Sequence, residues 1–322
     1  MNTARIQQFT SRSAFLFALL LLVIAVGINY ALQPNLFELR VLNGNLRVFF
    51  PLMLVAAGQT FVIIAGGIDL SVGGIVSMVN AILVTVMTSE STPDQVMIAI
   101  VIACLAGMAA GALNGFCVAY LRLQPIVTTY ASNFVFAGIA LLILPRPGGS
   151  IPADLPRLYR STPLDIPFVV YMILVLVLIW LVIRSTRYGQ YFFAIGSSAE
   201  SAYKTGVPVN QVRFSTYILS GLFAALGALM LTLSVSTGNP RIGEAMTLSS
   251  VVAVVLGGTR LSGGQGSVIG TIFGTLILGI IRNIISFANV PTWSQTLVDA
   301  LIIIAALAGP GLVRFIRKVI RR

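Results

Sequence analysis

The sequence is largely apolar, and the side chains that could do chemistry lie in two short glycine-rich segments. Residues 66–74 read Gly-Gly-Ile-Asp-Leu-Ser-Val-Gly-Gly and place the carboxylate of Asp69 and the hydroxyl of Ser71 between two apolar runs. Residues 257–264 read Gly-Gly-Thr-Arg-Leu-Ser-Gly-Gly. With the first glycines aligned, both segments have Gly-Gly, Leu-Ser and a further glycine at the same positions. The match suggests an internal repeat around a central site.

Glycine-rich breaks between apolar runs are typical of transport pathways. A helix inside a bilayer satisfies its own backbone hydrogen bonds, whereas a break survives there only within protein or beside water. Broken helices often mark the pathway of membrane transporters. For Asp69 a structural role is equally open, because its carboxylate could cap the following helix. The pathway or gating residues predicted from the two breaks are Gly66, Gly67, Asp69, Ser71, Gly73, Gly257, Gly258 and Ser262.

Several kinds of enzyme chemistry are missing from the sequence. The chain contains no histidine, and its serines lie near no arrangement suited to nucleophilic catalysis. It also has no Gly-x-x-x-x-Gly-Lys-Ser/Thr loop to hold a nucleotide phosphate. We therefore expect no enzyme activity, cofactor or metal site in this chain. Ion-gradient coupling usually needs buried carboxylates within spans, and Asp69 is the main candidate. Energy for pumping would then come from another polypeptide.

The elements that position both breaks are predicted to be membrane helices. Of the 322 residues, 57% are hydrophobic and 9% are charged, whereas about a quarter of a soluble domain is charged. We predict an all-α polytopic membrane protein with one domain over residues 1–322 and about ten spans. The predicted spans are roughly 14–32, 48–65, 72–89, 95–120, 126–145, 164–183, 214–235, 247–258, 267–285 and 295–309.

Basic residues predict the orientation. With the N-terminus inside, thirteen Lys or Arg residues lie on the inner side and six on the outer side, as the positive-inside rule favours. Both termini would be cytoplasmic, and so would the connection 184–213 and the basic tail 313–322. The proline-bearing connection 146–163 would be external and irregular. The net charge of +11 then reflects these basic segments and not nucleic-acid binding.

Two glycine ladders predict close helix packing. Gly107, Gly111 and Gly115 recur every fourth residue, as do Gly266, Gly270 and Gly274. Glycines at this spacing share one helix face and let another backbone approach. Packing within the subunit is the favoured interpretation, and contact with another subunit is the alternative.

Two charged residues near the outer ends of the last predicted spans suggest an ion pair. Arg282 lies within 267–285 and Asp299 lies within 295–309, at similar depth under the assigned orientation. Pairing would lower the cost of placing both charges there. A structural pair is favoured over a substrate contact.

The motifs together resemble the permease subunits of bacterial ABC importers for sugars, of the ribose, arabinose and galactose type. The residues that support the resemblance are Gly66–Gly73 in the first break and Leu256–Ser267 around the second. Thr186-Arg187-Tyr188-Gly189, Ala194-Ile195-Gly196, Leu113-Asn114-Gly115 and Pro125–Thr129 also match it. The similarity covers nearly the whole chain and adds Asn114 to the pathway residues.

The resemblance implies an assembly in the bacterial inner membrane. A second permease subunit, identical or a paralogue, would form a dimer within the lipid, two ATP-binding subunits would dock below, and a periplasmic sugar-binding protein would deliver substrate. ATP and magnesium would bind the partner ATPase. The implied fold is that of the vitamin B12 importer class, with alternating access driven by ATP hydrolysis. The alternative function is an ion-gradient-driven secondary transporter of a small polar solute.

In that fold the connection 184–213 holds a short coupling helix. The sequence itself predicts such a helix, because Ser198 could cap a turn beginning near Ala199 and Gly206 could end it. Glu200 and Lys204 would lie in its first and last turns, where their charges suit the helix dipole. The residues predicted to couple to the ATPase are Arg187, Gly189, Gly196, Ser198, Glu200, Ala202 and Gly206.

Overall fold

The computed structural model describes residues 19–287 together with residues 297 and 301. Its regular elements within that part are helices, apart from one isolated bridge between Gly148 and Gly238. The helices are α1 (Leu19–Leu32), α2 (Leu39–Ile64), α3 (Val72–Val86), α4 (Pro93–Ala119), α5 (Pro125–Ile143), α6 (Asp154–Arg160), α7 (Phe168–Ser185), α8 (Arg187–Ser197), α9 (Ala199–Lys204), α10 (Val209–Val235), α11 (Glu244–Leu256) and α12 (Val268–Phe287).

The predicted all-helical membrane architecture is confirmed. Six described helices are long and apolar enough to cross a membrane, namely α2, α4, α5, α7, α10 and α12. Three further apolar helices are shorter, namely α1, α3 and α11. The predicted span 295–309 lies outside the described residues, except for residues 297 and 301, so the count of ten stays a prediction.

The helices form a buried centre and an apolar periphery. The apolar stretch of α2 is 89% buried, and nearly all of α3 is buried as well. By contrast, the corresponding stretches of α5 and α7 are 17% buried. Apolar side chains of these outer helices therefore face outward, where a bilayer supplies the solvent they prefer.

The glycine ladders pack helices within the subunit, as favoured from sequence. Gly107, Gly111 and Gly115 of α4 lie against the backbone of α10, so a Cβ atom at any of them would meet a main-chain oxygen of that helix. The second ladder lies against the end of α11 and the residues that follow it. Missing side chains let these backbones touch, which is how small residues stabilise helix pairs in membranes.

The connections gather at two opposite ends, as the predicted alternation of spans requires. At one end the bridge joins Gly148 to Gly238. There the Tyr159 hydroxyl donates to the Arg47 carbonyl at 3.0 Å, and burial raises the pKa of Tyr159, so the donor keeps its proton. At the other end lie both glycine breaks and α8. We call this second end the coupling end.

Two predictions from the sequence were wrong, and a third, which placed one short helix in the connection 184–213, was incomplete. Helix α2 begins at Leu39 rather than at residue 48, because its polar first turns are held by α6 through the Asn43 to Arg160 hydrogen bond of 2.8 Å. The connection 146–163 contains α6 and is not wholly irregular. The connection 184–213 is mostly helical, since α8 buries Phe192 and Ile195 on one face and so forms an amphipathic helix.

Candidate functional site

The first glycine break holds a fully buried carboxylate. Helix α2 ends at Ile64, α3 begins at Val72, and Asp69 between them is 0% exposed. One oxygen of Asp69, Oδ1, accepts hydrogen bonds from the Ser71 N–H at 2.9 Å and from the Ser71 hydroxyl at 2.6 Å. The other oxygen, Oδ2, accepts from the Ser220 hydroxyl of α10 at 2.8 Å. These donors stabilise a charge that burial would otherwise penalise.

A shell of neutral polar side chains completes this network. Asn114 of α4 donates to the Ser71 hydroxyl at 2.7 Å, and Thr129 of α5 accepts from the Leu70 N–H at 2.9 Å. The side-chain amide of Gln59 in α2 is assigned with its nitrogen towards the Asp69 carbonyl and its oxygen towards the Asp69 N–H. In this orientation it donates to the carbonyl at 3.1 Å and accepts from the N–H at 3.2 Å. Residues of α2, α4, α5 and α10 therefore hold the first break in one conformation. We call Asp69 and these partners the Asp69 network.

The N-terminus of α3 is capped by other helices rather than by Asp69. Its N-cap residue is Ser71, whose side chain makes no capping bond. The Gly73 N–H donates to the Thr247 hydroxyl of α11 at 3.1 Å, and the Gly74 N–H donates to the Asn133 carboxamide of α5 at 2.8 Å. The predicted capping role of Asp69 is thus limited to the N–H of the N-cap residue itself. Two helices distant in sequence supply the remaining acceptors.

The second glycine break touches the first. The Gly264 N–H donates to the Ile64 carbonyl at 2.9 Å, which joins residues 257–264 to the end of α2. Gly66, Gly258, Gly263 and Gly264 all have positive φ, between 72° and 84°. Glycine adopts this conformation without strain. The repeated glycines therefore allow two irregular backbones to meet at the coupling end.

Gly196 of α8 lies at the point where the two breaks meet. A Cβ atom on Gly196 would collide with the Ile64 carbonyl and with the Gly264 nitrogen. A Cβ atom on Gly263 would lie 3.0 Å from the Gly66 Cα and 3.1 Å from the Gly196 Cα. We call Gly66, Gly196 and Gly263 the glycine junction. It brings one predicted pathway residue, Gly66, and one predicted coupling residue, Gly196, into direct contact with the second break.

The short helix predicted after Ser198 is present. Helix α9 covers Ala199–Lys204, and the Ser198 hydroxyl accepts from the Ser201 N–H at 3.2 Å as its N-cap. Gly206 follows the helix with φ 86°. Glu200 and Lys204 form an exposed ion pair at 2.6 Å. In this way α9 is a capped helix that presents charged side chains at the surface of the coupling end.

Helix α8 connects α9 to the buried centre of the protein. Its N-cap Thr186 accepts from the Gly189 N–H at 3.0 Å, and Gly189 lies against the Ile183 carbonyl of α7. Phe61 of α2 packs with Phe192 of α8 at a ring-centroid distance of 5.9 Å and with Trp180 of α7 at 5.6 Å. Because Phe61 lies only one turn before the end of α2, these ring contacts place α8 close to the start of the first break.

A cavity of about 980 Å³ opens beside α9 at the coupling end. Gly66 forms part of its wall, together with the α4–α5 connection and the start of α10. Two arginines line it, Arg122 and Arg213, and no acidic side chain of the described residues does so. We call it the coupling-end cavity.

The remaining predicted residues fall in different surroundings. Gly67, Ser71, Gly73 and Gly257 are buried, and Ser262 is exposed. Asp299 lies outside the described residues, so its pairing with Arg282 stays a prediction. Arg282 is exposed and donates to the Ser249 hydroxyl of α11 at 2.9 Å.

The chain matches a family of transport proteins along most of its length. The family model is described as "Branched-chain amino acid transport system / permease component" and covers residues 41–307. The chain belongs to this permease family. The resemblance drawn from the sequence motifs is therefore confirmed at the level of a permease component.

Relatives of this permease have named import systems. It is 35% identical to the ribose import permease protein RbsC of Bacillus subtilis, over 90% of this chain and 89% of the relative. It is 30% identical to the ribose import permease protein of Escherichia coli K12, over 90% and 91% of the two chains. The autoinducer 2 import system permease protein LsrD of E. coli is 30% identical, over 90% and 89%. No solved structure matches this permease.

Sequence reasoning missed several members of the site. Gln59, Thr129 and Ser220 belong to the Asp69 network, and Arg122 and Arg213 line the coupling-end cavity. Polar residues within apolar spans are expensive and usually face the bundle interior, so Gln59 and Ser220 had a signal in the sequence. The two arginines had none, because basic residues at cytoplasmic span ends are common.

Proposed function

We propose that this permease is the membrane subunit of an ATP-driven importer that moves a sugar across the bacterial inner membrane. The single observation that carries the proposal is the glycine junction, since it joins both helix breaks to the segment that bears α9. The names of the relatives, which include ribose import permeases, support the substrate class. The chain would have about ten spans, both termini in the cytoplasm and a fold like the vitamin B12 importer class.

In the proposed mechanism, ATP-binding subunits act on the permease through α9. Ser198 and Gly206 hold α9 as a defined helix, and α8 transmits its displacement to Gly66 and Gly263 at the junction. A shift there would alter the two breaks together, because Gly263 lies against Gly66 and the Gly264 to Ile64 hydrogen bond joins the second break to the end of α2. Outward and inward opening would then alternate as the partner subunits close and separate. No chemistry is required of this chain, so ATP and magnesium belong to the partner.

The pathway itself is proposed to lie at a permease–permease interface. Helix α5 buries few of its side chains within the subunit, and its exposed residues include Ile126, Tyr130 and Phe134. A second permease, identical or a paralogue, would cover part of this face. A periplasmic sugar-binding protein would deliver substrate at the end opposite to the coupling end.

The test is uptake into proteoliposomes that contain the permease and the ATP-binding subunit, with the sugar-binding protein outside. We expect ribose uptake that requires ATP within the lumen and persists after an ionophore collapses ion gradients. Buried carboxylates are typical of ion-coupled transporters, and Asp69 is such a residue. Uptake driven by a proton or sodium gradient without ATP would therefore favour the secondary transporter and reject the importer.

A further inference from the structure

We propose that the coupling-end cavity receives an acidic segment of the ATP-binding subunit, held by Arg122 and Arg213. This inference rests on the proposed function and adds a second contact to the one expected at α9. Both arginines line the same cavity, and neither forms an ion pair with a carboxylate within the described part of the chain. An acidic side chain would satisfy both charges through charge-assisted hydrogen bonds.

Continuity with α9 favours a protein partner over a free anion. Ala199 and Tyr203 of α9 form one wall of the cavity, and Gln124 lies in the α4–α5 connection that forms another. A subunit that docks on α9 therefore covers the cavity as well. Tyr120 also lines it, and tyrosine and arginine are both enriched among the residues that contribute most to binding at protein interfaces. The volume of about 980 Å³ accommodates several side chains.

The backbone at Arg122 gives an independent reason to assign it a function. Just after α4 the Leu123 N–H donates to the Cys117 carbonyl at 3.1 Å, and Arg122 adopts φ 56°. Glycine adopts this left-handed conformation without strain, whereas a side chain such as that of arginine is strained there. Strained residues cluster at functional sites. The strained backbone therefore supports a functional role for Arg122.

Arg122→Gly separates binding from folding. The substitution relieves the backbone and removes the guanidinium, so we expect unchanged or raised thermal stability of the permease. Affinity for the purified ATP-binding subunit should fall by about tenfold or more, as for loss of one partner of an interfacial charge pair. The double variant Arg122→Glu with Arg213→Glu should abolish binding. Arg146→Gly, the same substitution as Arg122→Gly at the opposite end, should bind as the wild type does.

Binding is measured with the permease in nanodiscs at low and high salt. Weaker salt dependence in Arg122→Gly supports the proposal, because a surface charge contact has been removed. Wild-type affinity in both Arg122→Gly and the double variant would overturn it. If the wild-type permease binds no ATP-binding subunit at all, the proposed function fails first and the inference fails with it.

A footprint tests the far wall of the cavity without altering its charge. Gln124→Cys is made in a chain whose Cys104 and Cys117 are replaced by alanine, and a small water-soluble thiol reagent is added. We expect labelling of the free permease and at least about tenfold slower labelling in the assembled complex, since interface cores exclude water. Equal labelling in both would mean that the cavity stays open to free anions, and would overturn the assignment to the ATP-binding subunit.

Discussion

The main-chain N–H of Gly264 donates to the carbonyl of Ile64 at 2.9 Å, so the second glycine break is hydrogen-bonded to the last residue of α2, directly before the first break. Gly196 of α8 lies directly beside this bond. The contact links the first break, the second break and the segment that bears α9 without any intervening side chain. A displacement of one of these backbones would have to break this contact or displace the other two, because the interior around them is closely packed.

Gly196→Ala should separate these backbones. A methyl group there would collide with the Ile64 carbonyl and the Gly264 nitrogen, neither of which belongs to a flexible side chain. We expect at least about tenfold slower ATP-dependent uptake, because overpacking typically costs about 1–3 kcal/mol. Gly27→Ala in α1 is the control, since its Cβ atom would meet nothing within 4 Å. Normal uptake by Gly196→Ala would show that the junction tolerates separation.

Loss of Ser220 should destabilise the Asp69 network. Ser220→Ala leaves Asp69 Oδ2 buried without its donor, and a hydrogen bond to a charged group contributes about 1.5–3 kcal/mol. Thermal unfolding of the detergent-solubilised permease should therefore begin at a lower temperature. In a chain that already carries Asp69→Asn, Ser220→Ala should lower the unfolding temperature much less than it does in the wild type. Additive losses in the double variant would indicate that the two side chains do not interact.

Thiol labelling should distinguish the two breaks. In a chain without Cys104 and Cys117, Ser262→Cys should react with a water-soluble reagent, because Ser262 is exposed. Ser71→Cys should be unreactive at rest, because Ser71 is 0% exposed. If the breaks gate the pathway, ATP added to the assembled complex should make Ser71→Cys reactive. Protection in every state would assign the first break to packing alone.

Charge reversal on α9 should impair coupling without impairing folding. Glu200 and Lys204 are 79% and 71% exposed, so their ion pair contributes only about 0.3–0.5 kcal/mol. Glu200→Arg should leave the unfolding temperature nearly unchanged. ATP hydrolysis by the complex should lose its dependence on loaded binding protein, and uptake should stop. Glu90→Arg, on the exposed connection between α3 and α4, provides a matched change away from α9.

A double-mutant cycle would test the predicted pair of Arg282 and Asp299. Arg282 already donates to the Ser249 hydroxyl, so Asp299 would be a second partner. We expect removal of Asp299 alone to lower the folded yield more than removal of both charges, because the remaining member of an ion pair is costly in surroundings of low dielectric. Folded yield is read from size-exclusion profiles. Equal and additive losses would mean that the two residues are independent.

Local signals in the sequence predicted local structure well. Ser198 and Gly206 placed α9 to within a residue or two, because capping residues act on their own neighbours. The glycine ladder of α4 predicted close packing, although not that α10 would be the partner. The polar first turns of α2 and the amphipathic α8 were missed, since both depend on surfaces supplied by other elements.

Contacts between distant parts of the chain could not be predicted from the sequence. Asp69 is hydrogen-bonded to Ser220, and Gly73 is hydrogen-bonded to Thr247. The spacing of these residues in the sequence predicts neither pair. Likewise, Arg122 and Arg213 share a cavity only because the α4–α5 connection and the start of α10 meet at one end. Helix periodicity predicts which face of a helix is buried, and not which partner it meets.

The separation of Asp69 from Ser220 also bears on how the chain is made. The two residues are 151 positions apart, so Asp69 is synthesised long before the Ser220 hydroxyl that donates to its carboxylate. At about 5–20 residues per second, the delay is roughly 8–30 s. Throughout that interval Asp69 has only the donors of Ser71. Burial of this carboxylate in the bilayer before α10 arrives would leave Oδ2 without the donor that it has in the folded permease, which is costly for a buried polar group.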